Sequence, residues 1–390
     1  MKYLFLSILF SSFLINTSTA QNNNSVEIDI QKNMDNFIEL TLSDFADDID
    51  YIPLETSSRC LIDQNAHFLV CEDFYLIGED HQDLRKFNLD GKFIGIFANN
   101  GRGPGEYQII TNLYFDADNQ NVILFDGISN RLLYYNKQGV FEKSFDLPIP
   151  ASNLHHLSGS TFIGESNYQL VMGSIHYSYF LFDSSGKVEP LYPQKENLKS
   201  MEVLVGSIFF KSGKLAYYMP PFCDTLYQFN MSQLVRKTHF KQGKLFLPQK
   251  YIYDHRKFRN EFKRYIFNLR AYPAYGNNVF ITYYHKGKPN VGICNPEKGD
   301  LKMINLDGRL NTSILNDLDG GLEFEPVYNK SKNSWYKLVW VDELKSLLEE
   351  DRFLQRKIKH PDKRKQLKEF IENLSEEDNP VIIITKGRSN

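Results

Sequence analysis

A repeat of about 47 residues is the feature that most constrains the fold of this 390-residue chain. Each unit reads as an apolar strand, a polar loop, a second strand, a tight turn and a third strand. The turns fall at Gly91, Gly139 and Gly186, which are 48 and 47 residues apart, and then near Gln233 and Gly299. Repeats of about 40–50 residues that hold several short strands are typical of β-propeller blades.

The number of units predicts an all-β, six-bladed propeller. Five units are clear, and Phe324–Trp340 supplies a sixth. Helical repeats of this length would show a period of about 3.6 residues, and a β-sandwich would not space similar hairpins so regularly. Ile49–Glu55 and Val381–Lys386 are also strand-like. We expect one of them to close the ring by joining a blade from the other terminus, because closure removes exposed strand edges.

Helical segments interrupt the β pattern at two places. Gln249–Arg270 carries an apolar stripe at helical spacing and predicts a helical insertion at about 249–270. Val341–Leu354 and Asp362–Leu374 predict a helical segment at about 341–377, near the C-terminus. The basic residues between these two are interpreted as a solvated helix face, since acidic residues flank them.

Residues 1–20 have the features of a secretory signal peptide. Lys2 precedes an apolar run that ends at Ile15, and small residues lead to a predicted cleavage before Gln21. The run is too short to cross a bilayer as a helix, so we expect no transmembrane segment in the mature chain. No cysteine follows it directly, which favours a periplasmic protein over a lipid-anchored surface protein. Residues 21–390 are expected to form one propeller domain.

Composition limits the classes of partner and cofactor. The net charge of -3 argues against a general electrostatic grip on nucleic acid. The chain has four cysteines, whose spacing fits no zinc or redox motif: Cys60, Cys71, Cys223 and Cys294. A Cys60–Cys71 disulfide remains open, although burial as small apolar side chains is the favoured interpretation. No cofactor is predicted.

The stretch GRGPGEY, from Gly101 to Tyr107, is the most conspicuous loop. Its glycine spacing matches neither a dinucleotide fingerprint nor a P-loop, and no helix start lies behind it. We interpret it as the crossover between two blades, with Arg102 and Glu106 pairing with each other or with nearby backbone. A role in ligand binding is the second interpretation of these two side chains.

Candidate sites come from loops, because propellers usually bind at the rim or mouth of the channel. No H-E-x-x-H or G-x-S-x-G motif occurs. The candidate ligand-binding residues are Arg102, Glu106, Arg131, Phe222, Asp224 and His285. The candidate metal ligands are Asp317 and Asp319 in NDLDGG, where a turn held by Asx hydrogen bonds is the favoured alternative.

Five segments, spread in order along the chain, resemble one known family: Tyr51–Ser57, Gly101–Tyr107, Pro220–Phe229, Asn316–Pro326 and Glu376–Lys386. The family is that of exported six-bladed β-propellers from Bacteroidetes, relatives of the NHL and TolB-like propellers. The resemblance implies a six-bladed propeller, export to the periplasm or cell surface, and no established activity.

These observations predict a non-enzymatic binding or scaffolding module of the cell envelope. Its partner would be a glycan, a peptide or an envelope protein, and we expect a monomer. The alternative is a carbohydrate-active glycosidase or lyase with carboxylates at the channel mouth. Convergence of Asp224, Asp317 and Asp319 would favour that enzyme, and dispersal would weaken it. A partner-binding hub predicts an exposed apolar patch, for example beside the insertion.

Overall fold

The described residues form six β-sheets that follow one another along the chain. The computed structural model describes residues 25–388 apart from short gaps, which are 173–174, 184, 195–206, 213–214, 221, 231–232, 249–250, 252–260, 307–312, 326–328 and 332–333. Each sheet has four strands in up-and-down order, and two sheets carry a fifth strand. The predicted six-bladed propeller is therefore confirmed.

The N-terminal residues supply strands to three different sheets. They form β1 (Val26–Asp29), α1 (Ile30–Asn33), β2 (Phe37–Ile38), a 3-10 turn (Leu42–Asp44) and β3 (Ala46–Pro53).

Blades 1 to 3 are each built from consecutive strands. Blade 1 contains β4 (His67–Val70), β5 (Phe74–Gly78), β6 (Leu84–Asn88) and β7 (Phe93–Ala98). Blade 2 contains β8 (Asn112–Asp116), β9 (Asn121–Asp126), β10 (Arg131–Asn136) and β11 (Phe141–Asp146). Blade 3 contains β12 (Asn153–Ser158), β13 (Thr161–Met172), β14 (Ile175–Asp183) and β15 (Val188–Gln194).

Blades 4 to 6 combine consecutive strands with the N-terminal strands. Blade 4 contains β16 (Ile208–Ser212), β17 (Leu215–Met219), β18 (Thr225–Asn230) and β19 (Gln233–Lys241), with β1 outside β19. Blade 5 contains β20 (Phe267–Pro273), β21 (Val279–His285), β22 (Lys288–Cys294) and β23 (Leu301–Ile304), with β2 outside β23. Blade 6 contains β24 (Asn329–Ser331), β25 (Ser334–Val339), β26 (Val381–Gly387) and β3.

The two chain ends meet in blade 6, as the ring-closure argument predicts. β3 pairs antiparallel with β26 from Ala46 to Pro53, with Asp50 opposite Ile384. β1 and β2 pair in parallel with β19 and β23. The N-terminal segment therefore follows the outer edges of blades 4 and 5 before it completes blade 6, and these pairings satisfy strand edges that would otherwise be open.

Three helices connect β25 to β26, and they confirm the predicted C-terminal helical segment. They are α2 (Val341–Glu349), α3 (Asp351–Gln355) and α4 (Pro361–Asn373). α4 begins with Pro361 at a position where the missing N–H costs nothing. It buries Leu367 and Ile371, one turn apart, against the blade 6 core.

The predicted helical insertion at about 249–270 extends too far towards the C-terminus, because a strand begins at Phe267. Residues 249–250 and 252–260 lie outside the described residues, and the chain is helical at Tyr251 and Glu261. Phe262–Arg264 is a 3-10 turn, and Phe267–Pro273 is the strand β20. Burial alternates from Leu269 to Ala271, which is the strand period. The apolar stripe thus spans two elements, and its aromatic residues form a small satellite cluster over blades 4 and 5.

The core lies between neighbouring blades. Buried side chains of blade 1, such as Phe74 and Leu76, share one hydrophobic cluster with Leu124 and Tyr135 of blade 2. All four cysteines carry free thiols, and Cys60, Cys71 and Cys294 are buried. Burial raises the pKa of the Cys223 thiol to about 11, which disfavours the nucleophilic thiolate.

Candidate functional site

All eight candidate residues lie at one face of the ring, six on connections and two, Arg131 and His285, at the strand ends beside them. Antiparallel strands alternate in direction, so loops after the second and fourth strands of every blade emerge at the same end. We call this end the crossover face. Arg102 and Glu106 lie on the crossover from blade 1 to blade 2, and Asp317 and Asp319 lie on the crossover from blade 5 to blade 6. The other four candidates lie at the loops between the second and third strands of their blades, namely Arg131 in blade 2, Phe222 and Asp224 in blade 4, and His285 in blade 5.

The GRGPGEY loop forms the crossover between blades 1 and 2, and a hydrogen bond within the loop stabilises its conformation. Glu106 Oε2 accepts a hydrogen bond of 2.7 Å from the Gly103 N–H. A Cβ atom at Gly101 would collide with the same carboxylate, so glycine leaves the space that Glu106 occupies. Arg102 Nε donates to Gln108 Oε1 at 3.1 Å instead of pairing with Glu106.

Arg131 supports this crossover from blade 2. Its Nη2 donates to the Glu106 carbonyl oxygen at 3.0 Å, and the Tyr135 hydroxyl donates to the Gly105 carbonyl at 2.9 Å. The fully buried Asp126 accepts from the Gln108 N–H at 3.0 Å. Sequence reasoning missed Asp126, whose only signal is a carboxylate directly after an apolar strand.

The candidates on blades 4 and 5 contact different neighbours. Phe222 joins the satellite aromatic cluster, with its ring centroid 6.2 Å from that of Phe267. Asp224 Oδ2 lies 3.2 Å from His239 Nε2. His285 Nδ1 lies 3.5 Å from the Tyr265 carbonyl oxygen, and burial lowers the pKa of this histidine. Each of these three side chains therefore has its own partner, and their role in ligand binding stays a prediction.

Asp317 and Asp319 are close in sequence, but their carboxylates have separate partners. Asp317 accepts from the Ser43 N–H at 2.8 Å and from the Ser43 hydroxyl at 2.6 Å, which ties this loop to the N-terminal segment. Asp319 Oδ1 accepts from the Gly321 N–H and from the Asn316 Nδ2, both at 2.8 Å. Within the described part of the chain, no three His, Cys, Asp or Glu side chains form a group suited to a metal ion. The metal site stays a prediction.

A cavity of about 310 Å³ opens between β3 and α4, with Asp319 at its floor. Its other walls come from β3, the strand that closes the ring, and from one face of α4. The lining residues are Ile49, Asp50, Tyr51, Ile52, Asp319, Lys363, Gln366, Leu367 and Phe370. Apolar walls with a few converging polar groups are typical of ligand sites.

A network of four charged side chains lies at one side of this cavity and consists of Asp48, Asp50, Lys363 and Lys386. Lys363 Nζ donates to an Asp48 carboxylate oxygen, to the Ile49 carbonyl at 2.8 Å and to Asp50 Oδ1 at 3.4 Å. Lys386 Nζ donates to the other Asp50 oxygen. Burial raises the pKa of Asp48, but hydrogen bonding to Lys363 and the charge of that ammonium bring it below its ordinary value.

Asp319 is only 1% exposed, and burial raises the pKa of its carboxyl group. Hydrogen bonds from the Gly321 N–H, the Tyr51 hydroxyl and the Asn316 amide oppose that rise without cancelling it. No lysine, arginine or histidine among the described residues lies within salt-bridge distance of this carboxyl group. The cavity floor therefore carries a buried acid without a direct counter-ion.

The sequence profile described as "Domain of unknown function (DUF4934)" matches residues 25–386. The chain belongs to this family. The family assignment and the six-bladed architecture confirm the resemblance to propellers of uncharacterised function. No curated protein matches the chain.

Two solved structures of Bacteroides proteins are similar to this DUF4934 chain. One is a "Putative exported protein" from Bacteroides fragilis, with 15% identity, a TM-score of 0.66, and coverage of 93% of this chain and 99% of that chain. The other is a DUF4221 family member from Bacteroides vulgatus, with 11% identity, a TM-score of 0.50, and coverage of 88% and 97%. At these identities the likeness shows the fold alone. No helix in the described ranges is both long and apolar enough to span a membrane.

Proposed function

We propose that this protein is an exported, non-enzymatic binding module of the cell envelope, and that its ligand site is the cavity between β3 and α4. The cavity carries the proposal, because its volume and its mixture of aromatic, apolar and polar walls suit a small ligand or one side chain of a larger partner.

The cavity walls are rigid, which favours a preformed site. β3 is paired with β26 along its whole length. α4 is anchored through Leu367 and Ile371, which are 2% and 0% exposed. Binding to preformed walls does not require the ligand to order a loop, so less of the interaction energy is lost on association.

The separate partners of the three candidate carboxylates, Asp224, Asp317 and Asp319, support binding over glycoside hydrolysis. That chemistry needs two carboxyl groups facing one cleft at a defined separation. Asp224 belongs to blade 4 and contacts His239, whereas Asp317 and Asp319 follow blade 5. Asp317 is further engaged with Ser43. A carbohydrate-active enzyme is therefore the weaker candidate.

Two observations support export. Residues 1–20 have the features of a signal peptide, and the similar Bacteroides fragilis structure is described as an exported protein. Cell fractionation followed by N-terminal sequencing tests this part. We expect a mature chain in the periplasm that begins at Gln21, and a cytoplasmic chain that retains Met1 would contradict export.

A thermal-shift screen of the mature chain against glycans and peptides tests the ligand site. A ligand at 100 times its dissociation constant adds about 2.7 kcal/mol of stability. Gln366→Trp fills the cavity from its exposed wall, and Lys365→Trp is the matched control on the solvent side of α4, where the lysine side chain is 80% exposed. We expect stabilising ligands to act on the parent and on Lys365→Trp but not on Gln366→Trp. Equal shifts in all three proteins would exclude the cavity.

A further inference from the structure

We propose that the cavity between β3 and α4 binds a cationic group, an ammonium or guanidinium on a short apolar chain, with Asp319 as its counter-ion. The proposal rests on the proposed function, because it names the ligand chemistry of the same cavity.

The charges around the cavity leave one acid uncompensated. Lys363 and Lys386 together balance Asp48 and Asp50 in the four-charge network. The three acceptors on Lys363, namely Asp48, Asp50 and the Ile49 carbonyl, match the three N–H groups of its ammonium. Lys363 therefore has no N–H left to donate to Asp319. The cavity lining has a net negative charge, which is the charge of the Asp319 carboxylate.

The nearest arginine, Arg364, acts on the Asp319 carboxyl group through its charge but forms no direct ion pair with it among the described residues. Arg364 Nε donates to the backbone carbonyl of Asp319 at 3.3 Å, and its two terminal nitrogens donate to the carbonyls of Leu354 and Arg356. Its guanidinium is thus committed to three backbone oxygens. The groups that face the Asp319 carboxyl are Tyr51, Asn316, the Gly321 N–H and, at longer range, the charges of Lys363 and Arg364.

A buried carboxylate is stable only when an opposite charge or several hydrogen bonds offset its lost hydration. Burial raises the pKa of Asp319 despite three hydrogen bonds, so those bonds fall short of full compensation. A bound cation supplies the missing compensation, because its attraction for the carboxylate is strong where water is excluded.

The remaining walls fit the body of such a ligand. The rings of Tyr51 and Phe370 lie with centroids 6.2 Å apart at 41°. Aromatic faces attract cations and also cover the methylene groups that carry them. Ile52 and Leu367 add apolar surface. At about 310 Å³ the cavity is at the small end of ligand sites, which suits one basic side chain of a peptide or one small amine.

Isothermal titration of the mature chain with four probes tests the inference. The probes are acetyl-Gly-Lys-Gly-amide, acetyl-Gly-Arg-Gly-amide, the uncharged acetyl-Gly-norleucine-Gly-amide, whose side chain keeps the four carbons of lysine without the ammonium, and n-butylamine. We expect binding of the cationic probes and none of the norleucine peptide. Binding of the basic peptides but not of butylamine identifies a basic side chain as the ligand, and the reverse identifies a free amine.

Two variants assign the binding to Asp319. Asp319→Asn keeps the shape and removes the charge, and we expect affinity to fall by at least about tenfold. Asp362→Asn removes an exposed charge from the first turn of the same helix and should change affinity by less than about twofold. Phe370→Leu, which keeps the charge, provides a second test in case Asp319→Asn disturbs the turn. It should weaken the cationic probes by removing one ring.

The dependence on pH separates a counter-ion from a merely structural residue. A cation binds the ionised carboxylate, so affinity should fall as the pH is lowered into the range where Asp319 takes up a proton. Binding in that range should release protons, seen as heats that differ between buffers of different ionisation enthalpy. Asp319→Asn should abolish both effects, and Asp362→Asn should keep them.

The outcomes distinguish the inference from the proposed function. No binding of cationic probes, equal binding of the norleucine peptide, or unchanged affinity in Asp319→Asn would overturn the cationic ligand. If a glycan is then bound by the parent and lost in Gln366→Trp, the cavity remains the ligand site. If cationic probes bind Gln366→Trp as tightly as the parent, the cavity is the wrong location and both proposals fail.

Discussion

The GRGPGEY crossover and the cavity beside blade 6 each enclose a carboxyl group, but they satisfy it in different ways. Glu106 bonds to an N–H only three residues back, and Arg131 supports the loop from 25 residues away. The cavity lies where distant segments meet, and Lys363 bonds to Asp48 across 315 residues of chain. In the crossover, neighbouring residues supply the hydrogen-bond partners of the carboxylate. Where distant segments meet, a cavity is left between them, and Asp319 is buried there without a direct counter-ion. The conspicuous motif bonds mainly within its own crossover, and the cavity that we propose as the ligand site is lined by less conspicuous residues.

The largest expected effect lies in the crossover and concerns Gly105. Its φ is +73°, and an added Cβ would overlap the Phe141 ring. We expect Gly105→Ala to lower the free energy of unfolding by about 3 kcal/mol, because backbone strain and overpacking add. Denaturant titration measures it.

Gly159→Ala is the control for backbone strain alone. Gly159 has a φ of +52° with no atom near its added Cβ, and its substitution should cost about 1 kcal/mol. Equal losses in the two variants would show that the crossover is not tightly packed.

Removing the Glu106 carboxylate should have a moderate effect on stability and none on ligand binding. Glu106→Ala leaves the Gly103 N–H without its acceptor, so we expect a loss of about 1–2 kcal/mol. Titration of the same variant with any ligand found for the cavity should give the parent affinity. A stable variant that had lost binding would reverse the roles of the two regions.

Asp319→Asn should show the smallest change in stability, and the size of that change depends on pH. A carboxyl group whose pKa is raised in the folded protein binds more protons there than in the unfolded chain. The contribution of this carboxyl group to the parent's stability is therefore fully present below its unfolded pKa, near the ordinary value of 3.8. That contribution is lost as the pH rises through the folded pKa.

Because asparagine does not ionise, Asp319→Asn should gain stability relative to the parent across that window. The gain should be about 1.4 kcal/mol for every tenfold difference in proton affinity between the folded and unfolded carboxyl group. The difference should then stay constant at higher pH. Urea unfolding between pH 4 and pH 8 measures the trend, and a difference independent of pH would show that Asp319 titrates as it does in the unfolded chain.

The repeat predicted the blades because its signals are local. Gly91, Gly139 and Gly186 all have positive φ at the tight turns, and the central strands of a blade are marked by unbroken runs of buried apolar side chains, as in β9 and β10. The ends of the insertion were harder to place, because apolar residues four apart also occur where a 3-10 turn is followed by a strand, as at Phe262 and Ile266, just before β20.

The cavity could not be derived in the same way. Tyr51, Asp319 and Lys363 approach one another only because the ring closes at blade 6 and α4 folds back on the closing strand. Asp319 was a candidate because of its neighbours in NDLDGG, but its burial depends on partners far away in the chain. No local pattern marks Lys363 or Phe370, which read as ordinary helix residues.

The placement of the N-terminal strands has a consequence for the order in which the molecule is assembled. β1 lies beside β19, where Glu27 meets Lys241 across 214 residues, and β3 meets β26, where Asp50 meets Lys386 across 336 residues. Contacts between such distant segments form slowly, because a long loop must close before they contribute. A chain that emerges N-terminus first exposes these strands long before their neighbours exist. The first strands to be synthesised are therefore the last to be placed, and the ring stays open until the final strand arrives.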